Sequence, residues 1–232
     1  MSASSASPSP EFAIIVAGGS GSRMQSQTPK QFIAVGGEPI LMRTIRRFHE
    51  YNPQMEIVVV LPQPEIPKWQ ALCFTHVFEL KHQVVAGGAT RFASVKQGLA
   101  AITVPEGVVA VHDGVRPFVP VGTIAQAFSV AKEQGNAVVA VALKESIRHV
   151  TEMGNAAVDR SQYRLIQTPQ CFCLSLLRQA YALPEEPTFT DDASVVEKLG
   201  EQINLVAGSY ENLKITTPDD LLWAEAFLKA TS

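Results

Sequence analysis

A chain of 232 residues with 46% hydrophobic and 18% charged residues has ordinary globular composition and is long enough for one domain with a full core. Its formal net charge of -3 excludes a nucleic-acid binder that works through a general basic surface, so any anion site must be local. The cysteines, Cys73, Cys171 and Cys173, form a C-x-C but no C-x-x-C, which fits neither a disulfide framework nor a zinc site and predicts reduced thiols in a cytoplasmic protein.

The opening "MSASSASPSP" has neither the basic start and apolar centre of a signal peptide nor the arginines of a transit peptide, and reads as a disordered tail over residues 1–10. A single domain is expected over 11–232, with no internal repeat and no linker. No apolar run approaches the length of about 18 residues that a membrane span needs. The first strand is "FAIIVAG", Phe12 to Gly18. It runs into "VAGGSGSRMQSQTPKQF", Val16 to Phe32, a glycine loop too long for a tight turn. Such loops after a first strand cradle phosphate, because bare backbone N–H groups approach it closely. The loop matches neither G-x-x-x-x-G-K-[ST] nor the dinucleotide fingerprint, which fails at the third glycine. No Asp or Glu lies between Phe12 and Gly37, so the charges of Arg23 and Lys30 are locally unopposed. A planar fork of donors and a compact ammonium together suit a triphosphate; a plain surface loop is the competing reading.

Further along, helical spacing predicts Pro39 to Tyr51, Thr90 to Ala101 and Val121 to Gln134 as helices. Between them, "EIVVVLP" (Glu56 to Pro62), "HQVVAGG" (His82 to Gly88), "GVVAVHD" (Gly107 to Asp113) and "NAVVAVAL" (Asn136 to Leu143) read as strands apolar on both faces. The alternation predicts an α/β fold with a mostly parallel sheet covered by helices on both sides. In "VAVHDGVRPF", Val109 to Phe118, Asp113 falls at the carboxyl end of a buried strand, where such sheets bind ligands. A lone Asp beside a triphosphate suffices for magnesium, which keeps several waters and takes substrate phosphates. Arg116 is a candidate for a second phosphate, whereas nothing pairs His112 with a nucleophile, and it reads as packed or hydrogen-bonded. Ser146 to Gln170 breaks the alternation with "SIRHV", "AAVDR" and "YRLIQTPQ", strand-like pieces with no helix between them. They predict either an antiparallel edge of the sheet or a protruding arm at about 144–170, and an arm would need a second copy of the chain to cover it. The last helix starts at Pro218 with Thr217 as N-cap and Asp219 and Asp220 in its first turn, and runs to about Lys229.

Taken together, "AGGSGSRM…PKQF" (Ala17 to Phe32), "GGATRFASV" (Gly87 to Val95), "VHDGVRPF" (Val111 to Phe118), "TPQCF" (Thr168 to Phe172), "TDDAS" (Thr190 to Ser194) and "LKITTPDDL" (Leu213 to Leu221) resemble the 2-C-methyl-D-erythritol 4-phosphate cytidylyltransferases of the non-mevalonate isoprenoid pathway. The resemblance covers everything after the tail. It implies a Rossmann-like fold and a homodimer whose β-arms reach each other's active sites. It also implies Mg2+-dependent transfer of CMP from CTP to a polyol phosphate with release of pyrophosphate, and no nucleic-acid or membrane partner. By the resemblance, Arg23, Lys30 and Lys214 would be catalytic, holding the triphosphate and stabilising charge at the α-phosphorus. Ala17, Gly18, Gly19, Gly21, Gly87, Gly88, Ser94 and Gly114 would line the nucleotide site. Asp113 would hold magnesium or the acceptor, with Arg116, Thr168 and Thr190 at the same site, and Ser146 and Arg160 would bind the acceptor's phosphate from the partner's arm. Two positions depart from the pattern: Ala89 stands where an acidic residue is frequent, and Ser146 where threonine is usual. Ribitol 5-phosphate cytidylyltransferases are the nearest alternative, and a non-catalytic CTP-binding regulator is a further one. A sugar-1-phosphate nucleotidyltransferase would share the first loop but lacks the later motifs.

Overall fold

The computed structural model describes residues 9–19, 24 and 28–231. Alternating β-rich and amphipathic segments fold into a seven-stranded sheet with helices on both faces. In chain order the strands are β1 (Glu11–Val16), β2 (Ala34–Val35), β3 (Glu38–Pro39), β4 (Glu56–Leu61), β5 (Gln83–Ala86), β6 (Val108–Asp113), β7 (Asn136–Ala142), β8 (Arg148–Thr151), β9 (Gly154–Ala157), β10 (Arg164–Cys173) and β11 (Leu205–Ala207). The helices are α1 (Ile40–Tyr51), α2 (Ile66–Thr75), α3 (Arg91–Ala101), α4 (Val121–Gln134), α5 (Leu174–Ala182), α6 (Asp192–Glu197) and α7 (Pro218–Thr231). The sheet order is β11-β7-β10-β6-β1-β4-β5, with every neighbouring pair parallel except those made by β10. All five strands and all four helices expected from the sequence are present, with ends shifted by at most two residues.

Strands buried on both faces separate two apolar layers. One face packs Ile15, Val59 and Ala110 under Phe48, Trp69 and Phe128, and the other packs Ile14, Val60 and Val111 under Phe92, Val95 and Leu177. A third, smaller cluster joins Val35, Ile40, Val115, Phe118, Ile215 and Ala224, and it seats α7 beside the sheet end. Thr217 caps α7 as expected, and Asp220 Oδ2 accepts from the backbone N–H groups of Thr216 and Thr217. Pro10 already belongs to the folded body, since its carbonyl accepts from Val108 N at 3.0 Å; residues 1–8 of the expected tail lie outside the described residues.

The irregular region divides between a protruding hairpin, as the arm reading expected, and an interior strand that neither reading placed. "SIRHV" and "AAVDR" supply β8 and β9, a hairpin exposed along its whole length and paired only with itself. "YRLIQTPQ" instead feeds β10, which is antiparallel and sits between β6 and β7, neither at the edge nor in an arm. The expected arm therefore ends before Arg164. Its place in the interior is possible because the ladder breaks between Ile166 and Gln170, where Pro169 has no N–H to donate. The polar residues of β10 are also satisfied internally. Gln167 donates to Ser209 O at 2.9 Å, and Gln170 donates to Asp191 Oδ2 at 2.9 Å while accepting from Ala193 N at 2.8 Å.

Candidate active site

The sheet order reverses around β1, whose neighbours β4 and β6 lie on opposite sides, and a crevice opens at such a point outside the carboxyl ends of the strands. Val16 and Asp113 are register partners, so the loops that follow them leave the sheet side by side. Backbone bonds extend the ladder there: Ala17 N donates to Val60 O, Gly87 N to Leu61 O and Gly114 N to Val16 O, at 2.8 to 2.9 Å. Gly114 permits the close approach, because a Cβ there would fall 2.8 Å from that of Ala17. Gly88 is equally confined, with Ala93 Cβ 2.4 Å from where its own would stand. The resulting cleft of about 190 Å³ is lined by Ala17, Gly18, Gly19, Lys30, Gln31, Gly88, Ala89, Thr90, Arg91, Ser94, Asp113, Val115 and Lys214.

Among the described residues, Asp113 is the sole carboxylate on that wall. Its Oδ2 accepts from Lys214 Nζ at 3.0 Å and Arg116 Nε at 3.1 Å. Lys214 arrives from the far end of the chain because Ile215, fully buried, donates its N–H to Val115 O. Arg116 is fixed from behind, since its Nη1 donates to Asn212 O at 2.8 Å. Burial would raise the Asp113 pKa, but Lys214, Arg116 and, beyond them, Arg91 outweigh it and hold the carboxyl well below its ordinary range. Lys30 opens a short 3-10 turn after Pro29 and lies against Gly19, 3.7 Å from where a Cβ would stand.

Behind the carboxylate runs a closed hydrogen-bond chain. Asp113 N donates to Thr168 Oγ1 at 3.1 Å, Thr168 Oγ1 meets His112 Nδ1 at 3.0 Å, and His112 Nε2 meets Arg116 O at 3.3 Å. A carbonyl only accepts, so Nε2 carries the proton and Nδ1 accepts from the threonine hydroxyl. The imidazole is neutral, and burial pushes its pKa down to about 3. His112 is therefore a scaffold, as its sequence setting suggested.

The structure brings Ala17, Gly18, Gly19, Lys30, Gly88, Ser94, Asp113 and Lys214 into one cleft, with Gly87, Gly114, Arg116 and Thr168 directly behind its wall. Gly21 and Arg23 lie outside the described residues. Ser146, Arg160 and Thr190 are exposed and do not line the cleft of this chain; Arg160 instead donates to Lys144 O. Four residues escape a reading of the sequence. Gln31 is 1% exposed and its Oε1 has no hydrogen-bond partner among the described residues. Arg91 lines the cleft while bound to Asp192, and Tyr181 also bonds to Asp192. A sequence signal exists for Arg91, which is the only charge within "GGATRFASV", but nothing local points to its distant partner. Among the described residues no group of three metal-ligating side chains occurs. Any metal here would be held by Asp113 alone plus phosphate and water oxygens. Asp113 Oδ1 accepts no hydrogen bond among the described residues, and one free carboxylate oxygen fits what magnesium takes from protein.

Comparison with known proteins places the chain in a family and matches its fold. The sequence model of the family described as IspD, 2-C-methyl-D-erythritol 4-phosphate cytidylyltransferase, matches residues 12–230. A protein of Bacteroides fragilis named 2-C-methyl-D-erythritol 4-phosphate cytidylyltransferase is 49% identical over 93% of this chain and 98% of its own length. One of the same name from Bacillus velezensis is 41% identical over 96% and 97%. Among solved structures, the 2-C-methyl-D-erythritol 4-phosphate cytidylyltransferase of Thermus thermophilus superposes with a TM-score of 0.76 at 32% identity, covering 96% of this chain and 100% of its own. The 4-diphosphocytidyl-2C-methyl-D-erythritol synthase of Anaerococcus prevotii gives 0.82 at 28% identity, covering 95% and 96%.

The buried neutral imidazole makes stability depend on pH. Below about 6.5 the unfolded chain protonates His112. The folded chain does not do so until about pH 3, so the unfolded state binds more protons and stability falls as pH drops. The slope for one such group is about 1.4 kcal/mol per pH unit. A His112→Gln variant lacks this term, so its deficit relative to wild type in urea unfolding should shrink by about half that amount between pH 7 and 6 and by nearly all of it between pH 6 and 5, because the unfolded pKa of about 6.5 lies inside the first interval. A deficit constant across the three would contradict a buried neutral ring.

Proposed function

This chain belongs to the 2-C-methyl-D-erythritol 4-phosphate cytidylyltransferase family, and from that premise we propose that it transfers CMP from CTP to 2-C-methyl-D-erythritol 4-phosphate. The transfer releases pyrophosphate and forms 4-CDP-2-C-methyl-D-erythritol, a precursor in non-mevalonate isoprenoid synthesis. The observation that carries the reading is the convergence of Lys30, Asp113 and Lys214 on one cleft beside the glycine loop.

The chemistry asks for what the cleft contains. The nucleophile is an oxygen of a phosphate monoester, which carries most of its second negative charge at neutral pH because its second pKa is about 6. It needs no general base, and the neutral, buried His112 offers none. The obstacle is the approach of two anions and the charge that builds on the reacting phosphoryl group, which positioned cations relieve. Lys30 and Lys214, both lining the cleft, would hold the triphosphate together with Arg23. Gly88 and Ser94 would receive the nucleoside, where the Ser94 hydroxyl holds the loop by accepting from Gly88 N at 3.2 Å. Asp113 would orient Lys214 through Oδ2 and hold Mg2+ through Oδ1. Bound there, the ion would neutralise phosphate oxygens. Arg116 and Thr168 would keep the carboxylate in place, and Thr190 would border the acceptor.

A homodimer is part of the proposal. The β8–β9 hairpin exposes Val150 and Met153, at 73% and 99%, and two-stranded hairpins are marginal in water alone. A second copy would cover it and receive Ser146 and Arg160, both on the chain around the hairpin, as ligands for the acceptor's phosphate. The rest forms a single domain. No helix among the described residues is long and apolar enough to cross a membrane. The cysteines are all free, which supports a cytoplasmic setting.

Pyrophosphate release with CTP and magnesium should require 2-C-methyl-D-erythritol 4-phosphate. Turnover with ribitol 5-phosphate in its place would move the protein to pentitol activation, and CTP binding without turnover on either would make it a regulator. Sharing of sites is tested by mixing an Asp113→Asn chain with an Arg160→Ala chain, each of low activity. About a quarter of the sites in a random mixture combine two intact halves, so activity should reappear; no recovery would mean that each chain works alone.

A further inference from the structure

Arg91 opens α3 on the wall of the cleft and is the one charged residue there that the proposed reaction leaves without a task. Its Nη1 donates to Asp192 Oδ1 at 2.9 Å and its Nη2 to Oδ2 at 2.6 Å. Asp192 is fully buried, and Tyr181 donates its hydroxyl to the same Oδ1 at 2.6 Å. Tyr181 is itself immobilised, stacked on Phe92 with ring centroids 4.6 Å apart. Asp192 is held in turn by the turn it begins, since Asp191 caps α6 and Gln170 grips Asp191 and Ala193 from β10.

Stability does not account for this arrangement. Sinking a carboxylate completely costs more desolvation than a pair usually returns, and apolar replacements of such pairs are often neutral or stabilising. What the arrangement delivers is a fixed guanidinium. Burial works against its charge, but Asp192 and then Asp113 outweigh that and raise the Arg91 pKa further. A guanidinium has five N–H donors, and the end-on pair uses one from each terminal nitrogen. The edge formed by Nε and its neighbouring Nη makes no hydrogen bond among the described residues, although the side chain is 31% exposed and borders the cleft that holds Lys30, Asp113 and Lys214. A planar two-donor edge matches two oxygens of a phosphate.

We propose that Arg91, locked end-on by Asp192 and Tyr181, presents its remaining edge to a phosphate group in the cleft and is a phosphate-binding residue of the transfer reaction. The inference rests on the cytidylyltransferase reading. The phosphate belongs either to CTP or to the acceptor, and Asp192 and Tyr181 act as positioning residues. The segment 190–194, far along the chain, thereby aims a cation supplied by the segment 87–94.

The test compares wild type with Arg91→Lys, which keeps the charge and loses the fork, and with Asp192→Asn, which keeps the shape and releases the guanidinium. Calorimetric titration with CTP and with cytidine, and KM for each substrate, are the readouts, with melting temperatures alongside. Loss of one bidentate charge-assisted contact should weaken CTP binding, or raise KM for the acceptor, on the order of tenfold. Cytidine affinity should stay unchanged. A selective loss for CTP assigns the edge to the triphosphate, and a selective rise in acceptor KM assigns it to the acceptor's phosphate. Equal losses for CTP and cytidine would overturn the proposal in favour of a base contact. A fall in melting temperature with both substrates unaffected would overturn it in favour of a structural tie. If Arg91→Lys does not fold, Asp192→Asn decides alone by the same criteria. Wild-type protein that releases no pyrophosphate would sink the functional reading separately, because the binding comparison needs no turnover.

Discussion

The site depends on one carboxylate. Asp113 ends a strand that is buried along its whole length, and its Oδ2 draws in Lys214 and Arg116 at 3.0 and 3.1 Å. Without that charge, the buried Arg116 guanidinium would lose its counterion while the partly exposed Lys214 ammonium stands beside it. Removing one partner of a buried ion pair costs about 3–5 kcal/mol, because the charge left behind has lost its counterion and its water. Much of the surrounding structure serves to fix this carboxylate: the Thr168 and His112 chain behind it, the Asn212 carbonyl behind Arg116, and the Ile215 anchor beside Lys214.

An acidic hub in a site for anionic substrates looks contradictory until the charges are followed. Lys30 and Lys214 face the cleft, Arg91 borders it, and Arg116 stands behind. Asp113 and Asp192 orient three of these cations, so that positive charge is held in place before substrate arrives. Preorganised charge of this kind stabilises a transition state without reorganisation during the reaction. The protein has accepted two buried carboxylates to obtain that geometry.

The elements that are legible in the sequence are those whose identity is local. Continuous apolar runs mark β1, β4, β5, β6 and β7, and the capping residue Thr217 marks the start of α7. The place of β10 is hidden because Gln167, Thr168 and Gln170 look like surface residues, yet they are buried with partners up to 56 residues away along the chain, the distance from Thr168 to His112. Helix α2 has an exposed, weakly patterned face, and α6 is only six residues long, so neither carries a clear period. The site is readable where motif and strand end coincide, at Asp113, in the carboxylate-free loop at Lys30, and at Lys214 through resemblance. The Arg91–Asp192 pair spans 101 positions and leaves no local trace. Ser146 and Arg160 remain outside the cleft of one chain, which is where a residue destined for a partner's site would be.

The chain contributes positioned charge and moves no proton in this mechanism, and the pH dependence of kcat/KM for the acceptor is the decisive measurement. Asp113 stays ionised and His112 stays neutral across the accessible range, so the one ionisation required below neutrality is that of the acceptor's own phosphate. The profile should rise tenfold per pH unit and level off near about 6. Replacing that phosphate by a phosphonate of different pKa should move the inflection with it. An inflection that stays in place when the acceptor is changed, and also when CTP is replaced by a nucleotide of different terminal-phosphate pKa, would belong to a protein group and would contradict a mechanism built on fixed cations alone.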